Sequence, residues 1–192
     1  MKRKDIKNTI IEYFFVNPTA KLRVREIERT LNLPLPSVIN YTKALVNEKI
    51  LKITRIGKVT LFSADRSSKE YLLQKKLFNI RKVYDSGLIK HLIANYSNPT
   101  ILLFGSYSKG EDIEDSDIDL YIETASKQEF NLKKYEKALK RKIQVFNFKN
   151  IKQVKNIFLA NNMLNGITLN NFIEVFKWKK HHGKTVLTQK TQ

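Results

Sequence analysis

The 192-residue sequence predicts an α/β (α+β) protein in two parts. Residues 1–66 read as a helical unit closed by a β-hairpin, and residues 67–192 as a connecting helix followed by a small mixed sheet flanked by helices. Three observations carry this reading. Helical apolar spacing recurs three times before residue 50 and then gives way to two β-rich runs around a glycine. A fully apolar run at 101–104 enters Gly105-Ser106 and is followed by a run in which apolar and acidic residues alternate. The charge, +18 overall, is also unevenly spread. Residues 1–66 hold 14 Lys and Arg against 6 Asp and Glu, whereas residues 99–160 hold 11 against 9. Seven of the 18 acids fall within 111–123: Glu111, Asp112, Glu114, Asp115, Asp117, Asp119 and Glu123. Such a concentration suits divalent cations, and the basic remainder suits a polyanion. The plainer alternative is an acidic loop on a lysine-rich surface.

Composition excludes several classes. The absence of cysteine removes disulfides, thiolate zinc sites and a cysteine nucleophile together. No run approaches the roughly 18 apolar residues of a membrane span. The basic start Met1-Lys2-Arg3-Lys4 reaches Ile10-Ile11, but Glu12 interrupts it and no small-residue cleavage site follows. The expectation is a soluble, cytoplasmic protein with no membrane partner.

In chain order, residues 5–16 place Ile6, Ile10, Tyr13 and Phe14 at helical spacing, and Asn17-Pro18 ends the helix. Residues 24–31 predict a short second helix with Ile27 and Leu31 inward. After the Asn32–Pro36 turn, Ser37 is the expected N-cap of a third helix running from Val38 to about Glu48. Its inward positions are Val38, Tyr41 or Thr42, and Leu45. Residues 50–55 and 59–63 around Ile56-Gly57-Lys58 predict the hairpin. This order of elements resembles the winged helix-turn-helix family. The resemblance implies a third helix in a DNA major groove, with Ser37, Asn40, Lys43 and Asn47 outward, and Arg55 and Lys58 flanking a wing tip. A unit that docks another protein or a second copy of itself is the alternative.

Residues 67–96 are helical in pattern. Leu72, Leu73, Leu77, Ile80, Val83 and Tyr84 form one expected stripe. After a break at Asp85-Ser86-Gly87, Leu88, Leu92 and Ile93 form another. The first helix is expected either to connect two domains or to form a homodimer seam.

The chemistry lies in residues 100–123. Residues 101–104 read as a buried strand; Gly105-Ser106 open a turn or short helix that Gly110 ends. In the next strand, period two puts Asp117 and Asp119 side by side on one face. Neighbouring carboxylates repel one another, which a cation relieves, and oxygen-only ligands favour Mg²⁺ or Mn²⁺. The glycine lets backbone approach a phosphate, and the Ser106 hydroxyl with nearby amides can hold phosphate oxygens. An EF-hand fails, because Leu120 and Ser126 stand where glycine and glutamate are needed. A P-loop fails, because no Gly-Lys-Ser/Thr closes the loop.

Phe104-Gly105-Ser106, ten residues, then Asp117-Ile118-Asp119-Leu120 resembles the active-site motif of the DNA polymerase β nucleotidyltransferase superfamily, nearest its minimal bacterial and archaeal members. The likeness covers roughly residues 86–175 and includes Lys142–Phe146 and Leu164-Asn165-Gly166-Ile167. It implies that Gly105 and Ser106 bind the triphosphate of an NTP, with ATP the default, and that Lys109 stands where an arginine often touches phosphate. It also implies that Asp117 and Asp119 bind the metal and are catalytic. The family's third carboxylate position matches Gln144, which offers an amide oxygen but neither charge nor a base. No acid lies between Glu136 and Glu174 to replace it. Kinship further implies a protein or nucleic-acid acceptor, transfer RNA included, and a toxin–antitoxin-like setting. The leading expectation is transfer of an NMP from an NTP to a hydroxyl. The rival is a catalytically degenerate regulator that senses nucleotide or binds a partner.

Other candidates are weaker. His91 reads as a packing residue on a helix. Trp178 among Lys177, Lys179 and Lys180 reads as a helix-end anchor with a basic flank. His181-His182-Gly183 belongs to the basic C-terminal stretch, and residues 184–192 are expected to fray.

Overall fold

The computed structural model describes residues 5–126, 128–175, 179–181 and 184–186. The chain begins with α1 (Ile6–Val16), capped by the Asp5 side chain accepting from Asn8 N–H. A two-residue strand β1 (Lys21–Leu22) follows, then α2 (Val24–Leu31) and α3 (Leu35–Asn47). Strands β2 (Leu51–Ile56) and β3 (Val59–Ala64) pair antiparallel about Gly57, whose φ of +58° is the left-handed turn conformation that glycine favours. The sheet order is β1-β3-β2, so β1 adds a third strand that its two residues were too short to announce.

One expectation is corrected in this half, and one open alternative is resolved. Ser37 does not cap α3: the helix starts at Leu35, three residues earlier than expected, with Pro34 at the cap and no side-chain cap bond. Pro36 is compatible with that start because the first helical turn has no intrahelical partner for its N–H. Of Tyr41 and Thr42 it is Thr42 that is buried, its hydroxyl donating to Val38 O at 2.7 Å. In α1 the buried side chains are Ile10, Ile11, Phe14 and Phe15, while Ile6 and Tyr13 are partly covered.

α4 (Lys69–Asp85) starts at Ser68, whose Oγ accepts from Tyr71 N–H, and ends near Gly87, which precedes α5 (Leu88–Asn95). Its buried face departs from the apolar stripe expected of it. Tyr71, Lys75, Asn79 and Val83 point inward, while Leu73, Leu77 and Tyr84 are exposed. The polar members of that face meet a buried carboxylate described below. α4 belongs to both cores: Tyr71 packs with Ile10, Phe14 and Leu45, and Val83 packs with Leu88, Leu103 and Leu120.

The second sheet has the order β6-β5-β4-β7. β4 (Thr100–Phe104) is buried throughout and pairs antiparallel with β5 (Ile118–Glu123) and β7 (Ile167–Asn170). β6 (Ile143–Phe148) runs parallel to β5. A short helix α6 (Gly105–Lys109) leaves the end of β4, and α7 (Lys133–Leu139) crosses between β5 and β6. α8 (Ile157–Leu164) leads through Gly166 into β7. One sheet face, with Ile118, Leu120 and Ile122, packs on α5 and α7 through Leu88, Leu92 and Tyr135. The other, with Leu102, Phe104 and Tyr121, packs on Met163 of α8 and on Ile151 and Val154.

Among the described residues no helix is long and apolar enough to cross a membrane. β8 (Lys179–His181) and β9 (Lys184–Val186) pair antiparallel, so the first part of the stretch expected to fray is a strand. Backbone pairing supplies the order there. Trp178, Lys177, His182, Gly183 and residues 187–192 lie outside the described residues.

Candidate active site

β4 delivers Gly105 and β5 delivers Asp119 to the same end of the sheet, because Phe104 and Asp119 are antiparallel partners. Gly105 has φ +72°, and a Cβ built on it would overlap the Asp119 carboxylate. The glycine is therefore required twice, by its backbone conformation and by the side chain against it. The turn continues into α6, where Ser108 Oγ donates to Gly105 O at 2.8 Å. Ser106 is half-buried at the start of α6, and Lys109 is exposed at its end. Gly110, φ +76°, stops the helix in the left-handed conformation.

Asp117 sits one residue before β5 rather than inside it, and both aspartates are half-buried. Burial raises the Asp119 pKa above the ordinary aspartate value, and the Asp117 charge raises it further. The pair is thus a site where negative charge is held against desolvation and repulsion. Ile118 N–H donates to Lys142 O at 2.8 Å, fixing the start of β5 to the start of β6.

Gln144 is the parallel neighbour of Asp119 on β6 and is exposed. Period two puts it on the same face as Asp119, so the residue matched to the third carboxylate does stand beside the second. Glu123 lies further along that face, where it accepts a hydrogen bond from Tyr121 Oη at 2.7 Å. Among the described residues no group of three or more His, Cys, Asp or Glu side chains could hold a metal ion. The donors present are two carboxylates and one amide oxygen. They fit a Mg²⁺-class ion, which is usually held by one or two carboxylates with substrate phosphates and water completing the shell.

The acidic stretch is less available than its composition implied. Asp112 is buried and spent on an internal network: Lys75 Nζ lies 2.5 Å from its Oδ1, Asn79 Nδ2 donates to Oδ1 at 2.7 Å, and Arg141 Nη2 reaches Oδ2 at 3.5 Å. Burial pulls the Lys75 ammonium below its ordinary pKa while Asp112 pulls it back. Glu114 accepts from both the Thr19 N–H and the Thr19 hydroxyl. These partners lie far off in sequence, so local pattern gave no sign of them.

Residues 88–171 match the family model described as polymerase beta, nucleotidyltransferase. The match supports a polymerase β-type nucleotidyltransferase domain in the C-terminal part, and it spans the Gly105–Ser106 turn, both aspartates and Gln144. No curated protein matches the chain, and no solved structure matches it. The Gly166 segment that belongs to the resemblance is also a close approach: a Cβ there would come 2.6 Å from Leu103 O. His91 makes edge and tilted ring contacts with Phe130 and Tyr135, in keeping with a packing role.

In the N-terminal part, Asn40, Lys43 and Asn47 are exposed on α3, Ser37 is half-buried, and Arg55 and Lys58 are exposed on the hairpin. Lys43 and Lys58 border a cleft of about 610 Å³ between α2, α3 and β3. Its other charged lining residues are Arg23, Arg25, Arg29 and Glu26, over a floor that includes Ile39 and Phe62. The three arginines went unselected in the sequence reading, although the local charge pointed to them. Arg25 and Arg29, four apart, share one helix face.

Proposed function

We propose that the chain is a metal-dependent nucleotidyltransferase that moves an NMP from an NTP, ATP by default, to a hydroxyl of a protein or nucleic acid. The observation that carries this reading is the seating of the Asp119 carboxylate on Gly105, with Asp117 beside it and Gln144 across the strand. Gly105 and Ser106 would take the triphosphate, with backbone amides and the hydroxyl facing phosphate oxygens. Lys109 would neutralise charge at its outer end. Asp117 and Asp119 would hold Mg²⁺ or Mn²⁺, which supplies charge neutralisation at the phosphates and a lowered pKa for the acceptor hydroxyl. The acceptor oxygen bonds to the α-phosphorus, the bond to the bridging β-phosphate oxygen breaks, and pyrophosphate leaves. Gln144 cannot accept the acceptor's proton, so that proton passes to solvent or to a phosphate oxygen. A missing general base typically costs about 10²–10⁴ in rate.

Residues 1–66 are proposed as a winged helix-turn-helix unit that binds DNA through α3, the hairpin and the arginine-lined cleft. Its support is the helix order, the three-stranded sheet and the exposed cations. Residues 67–192 are proposed as the linker helix with the transferase domain, and a toxin–antitoxin-like setting follows from kinship alone.

One observation favours a second reading. With Gln144 beside Asp119, the C-terminal part could bind nucleotide as a signal while the N-terminal part regulates DNA. Transfer from NTPs radiolabelled at the α-phosphate to total transfer RNA or extract proteins, with Mn²⁺, tests the choice. The enzyme reading expects labelled acceptor that disappears with Asp117→Asn and increases with Gln144→Asp. Nucleotide binding without label in any lane, Gln144→Asp included, would favour the regulator.

A further inference from the structure

Residues 111–116 connect the α6 turn to Asp117, and they are held mainly from outside the loop by the N-terminal part and α4. Thr19 N–H donates to Glu114 Oε1 at 3.0 Å, and the Thr19 hydroxyl lies 3.1 Å from both carboxylate oxygens. Arg66 Nη2 reaches Glu111 O at 3.5 Å. Lys75 Nζ donates to Asp112 O at 2.8 Å in addition to its ion pair, and Arg141 Nη2 donates to Val16 O at 3.1 Å. Gly110 lies against the α4 backbone, since a Cβ there would come 2.5 Å from Leu72 O. Inside the loop, Ile113 N–H donates to Ser116 Oγ at 2.9 Å.

We propose that Glu114 is a positioning residue: through its bonds to Thr19 the N-terminal part fixes the loop that presents Asp117 to Asp119. The N-terminal part is then a piece of the nucleotide site's framework, beyond any binding of its own. The functional half of this inference rests on the nucleotide reading above, and the clamp itself does not. Asp112 holds the same loop, but its removal would unpair a buried lysine and disturb the fold. Glu114 is only half-buried, so it can be changed with the core left alone. Burial would raise the Glu114 pKa, yet the Thr19 hydrogen bonds leave it below the ordinary glutamate value, as expected of a carboxylate held in its charged form.

The test uses full-length wild type, Glu114→Ala, Glu114→Gln and Asp115→Ala, with two readouts. Hydrogen exchange of the 111–118 amides is followed without ligand, and ATP affinity with Mn²⁺ is measured by calorimetry. A bond to a charged acceptor is worth enough for roughly tenfold faster loop exchange in Glu114→Ala. The expected affinity loss is about threefold to tenfold. Glu114→Gln can still accept from Thr19 and should restore both. Asp115→Ala removes the same charge from an exposed neighbour and should change neither. Unchanged loop exchange in Glu114→Ala overturns the clamp. An equal affinity loss in Asp115→Ala overturns positioning in favour of simple charge. If wild type binds no ATP, the nucleotide reading falls while loop exchange still decides the clamp.

Discussion

Asp119 carries an electrostatic cost in the folded chain that protonation, or a cation, would relieve. Its pKa is raised by burial and by Asp117, so its ionised form is disfavoured in the folded chain relative to the unfolded one. A raised folded-state value means the penalty is absent below the unfolded pKa and complete above the folded one. Asp119→Asn should therefore melt at a higher temperature than wild type near neutral pH in EDTA. The gap should close as pH falls below the ordinary aspartate range. Added Mg²⁺ should raise the wild-type melting temperature and leave the variant unmoved. A variant that is less stable at neutral pH would show that the carboxylate is structural. Gly105→Ala meets both a positive φ, costing about 1–2 kcal/mol, and overlap with Asp119. It should lose nucleotide binding in calorimetry while keeping a folded circular dichroism spectrum. Gly105 and Asp119 were legible in the sequence because strand alternation and spacing decide which end and which face they occupy. Gln144 was marked only by the family resemblance, and its place beside Asp119 comes from the parallel β5–β6 register. The fate of Asp112 was not legible, since its partner Lys75 lies 37 residues away.

At the scale of elements, α4 shows where periodicity misleads. An apolar stripe from Leu72 to Tyr84 at helical spacing was expected, yet only Val83 of it is buried, and the helix turns Tyr71, Lys75 and Asn79 inward beside it. Pattern reading assigns lysine to solvent, whereas a buried carboxylate offers it a better partner than water only when the two arrive with other hydrogen bonds. Removing one member of such a pair leaves an unpaired buried charge. Asp112→Ala should thus cost about 3–5 kcal/mol in urea unfolding. Leu77→Ala, on the exposed side, should cost little. α2 offers a complementary case. Its bounds at Val24–Leu31 agree with the sequence expectation, but its arginines acquire meaning only through the cleft they share with Lys43 and Lys58. If that cleft faces DNA, Arg25→Ala and Arg29→Ala should each weaken binding to random-sequence duplex. Each should also reduce the slope of log affinity against log salt by about 0.9. Unchanged slopes would place the phosphate contacts elsewhere.

For the whole molecule, the charge pattern divides the work. A chain of net charge +18 places its densest carboxylates where β4 and β5 meet, between parts that are more basic. Those carboxylates do three different things: Asp112 ties α4 to the loop, Glu114 ties the N-terminal part to it, and Asp117 with Asp119 remain beside the glycine turn. Glu111 and Asp115 are exposed, and of the seven only Asp117 and Asp119 stand together at the glycine turn, a distinction that composition could not make and tertiary structure does. The most direct measurement is calorimetric titration of ATP with Mg²⁺ or Mn²⁺ into wild type and into the Asp117→Asn/Asp119→Asn double variant. The account predicts binding that requires both the metal and the two aspartates. Binding that survives the double variant, or a wild type that binds with neither metal, would contradict it.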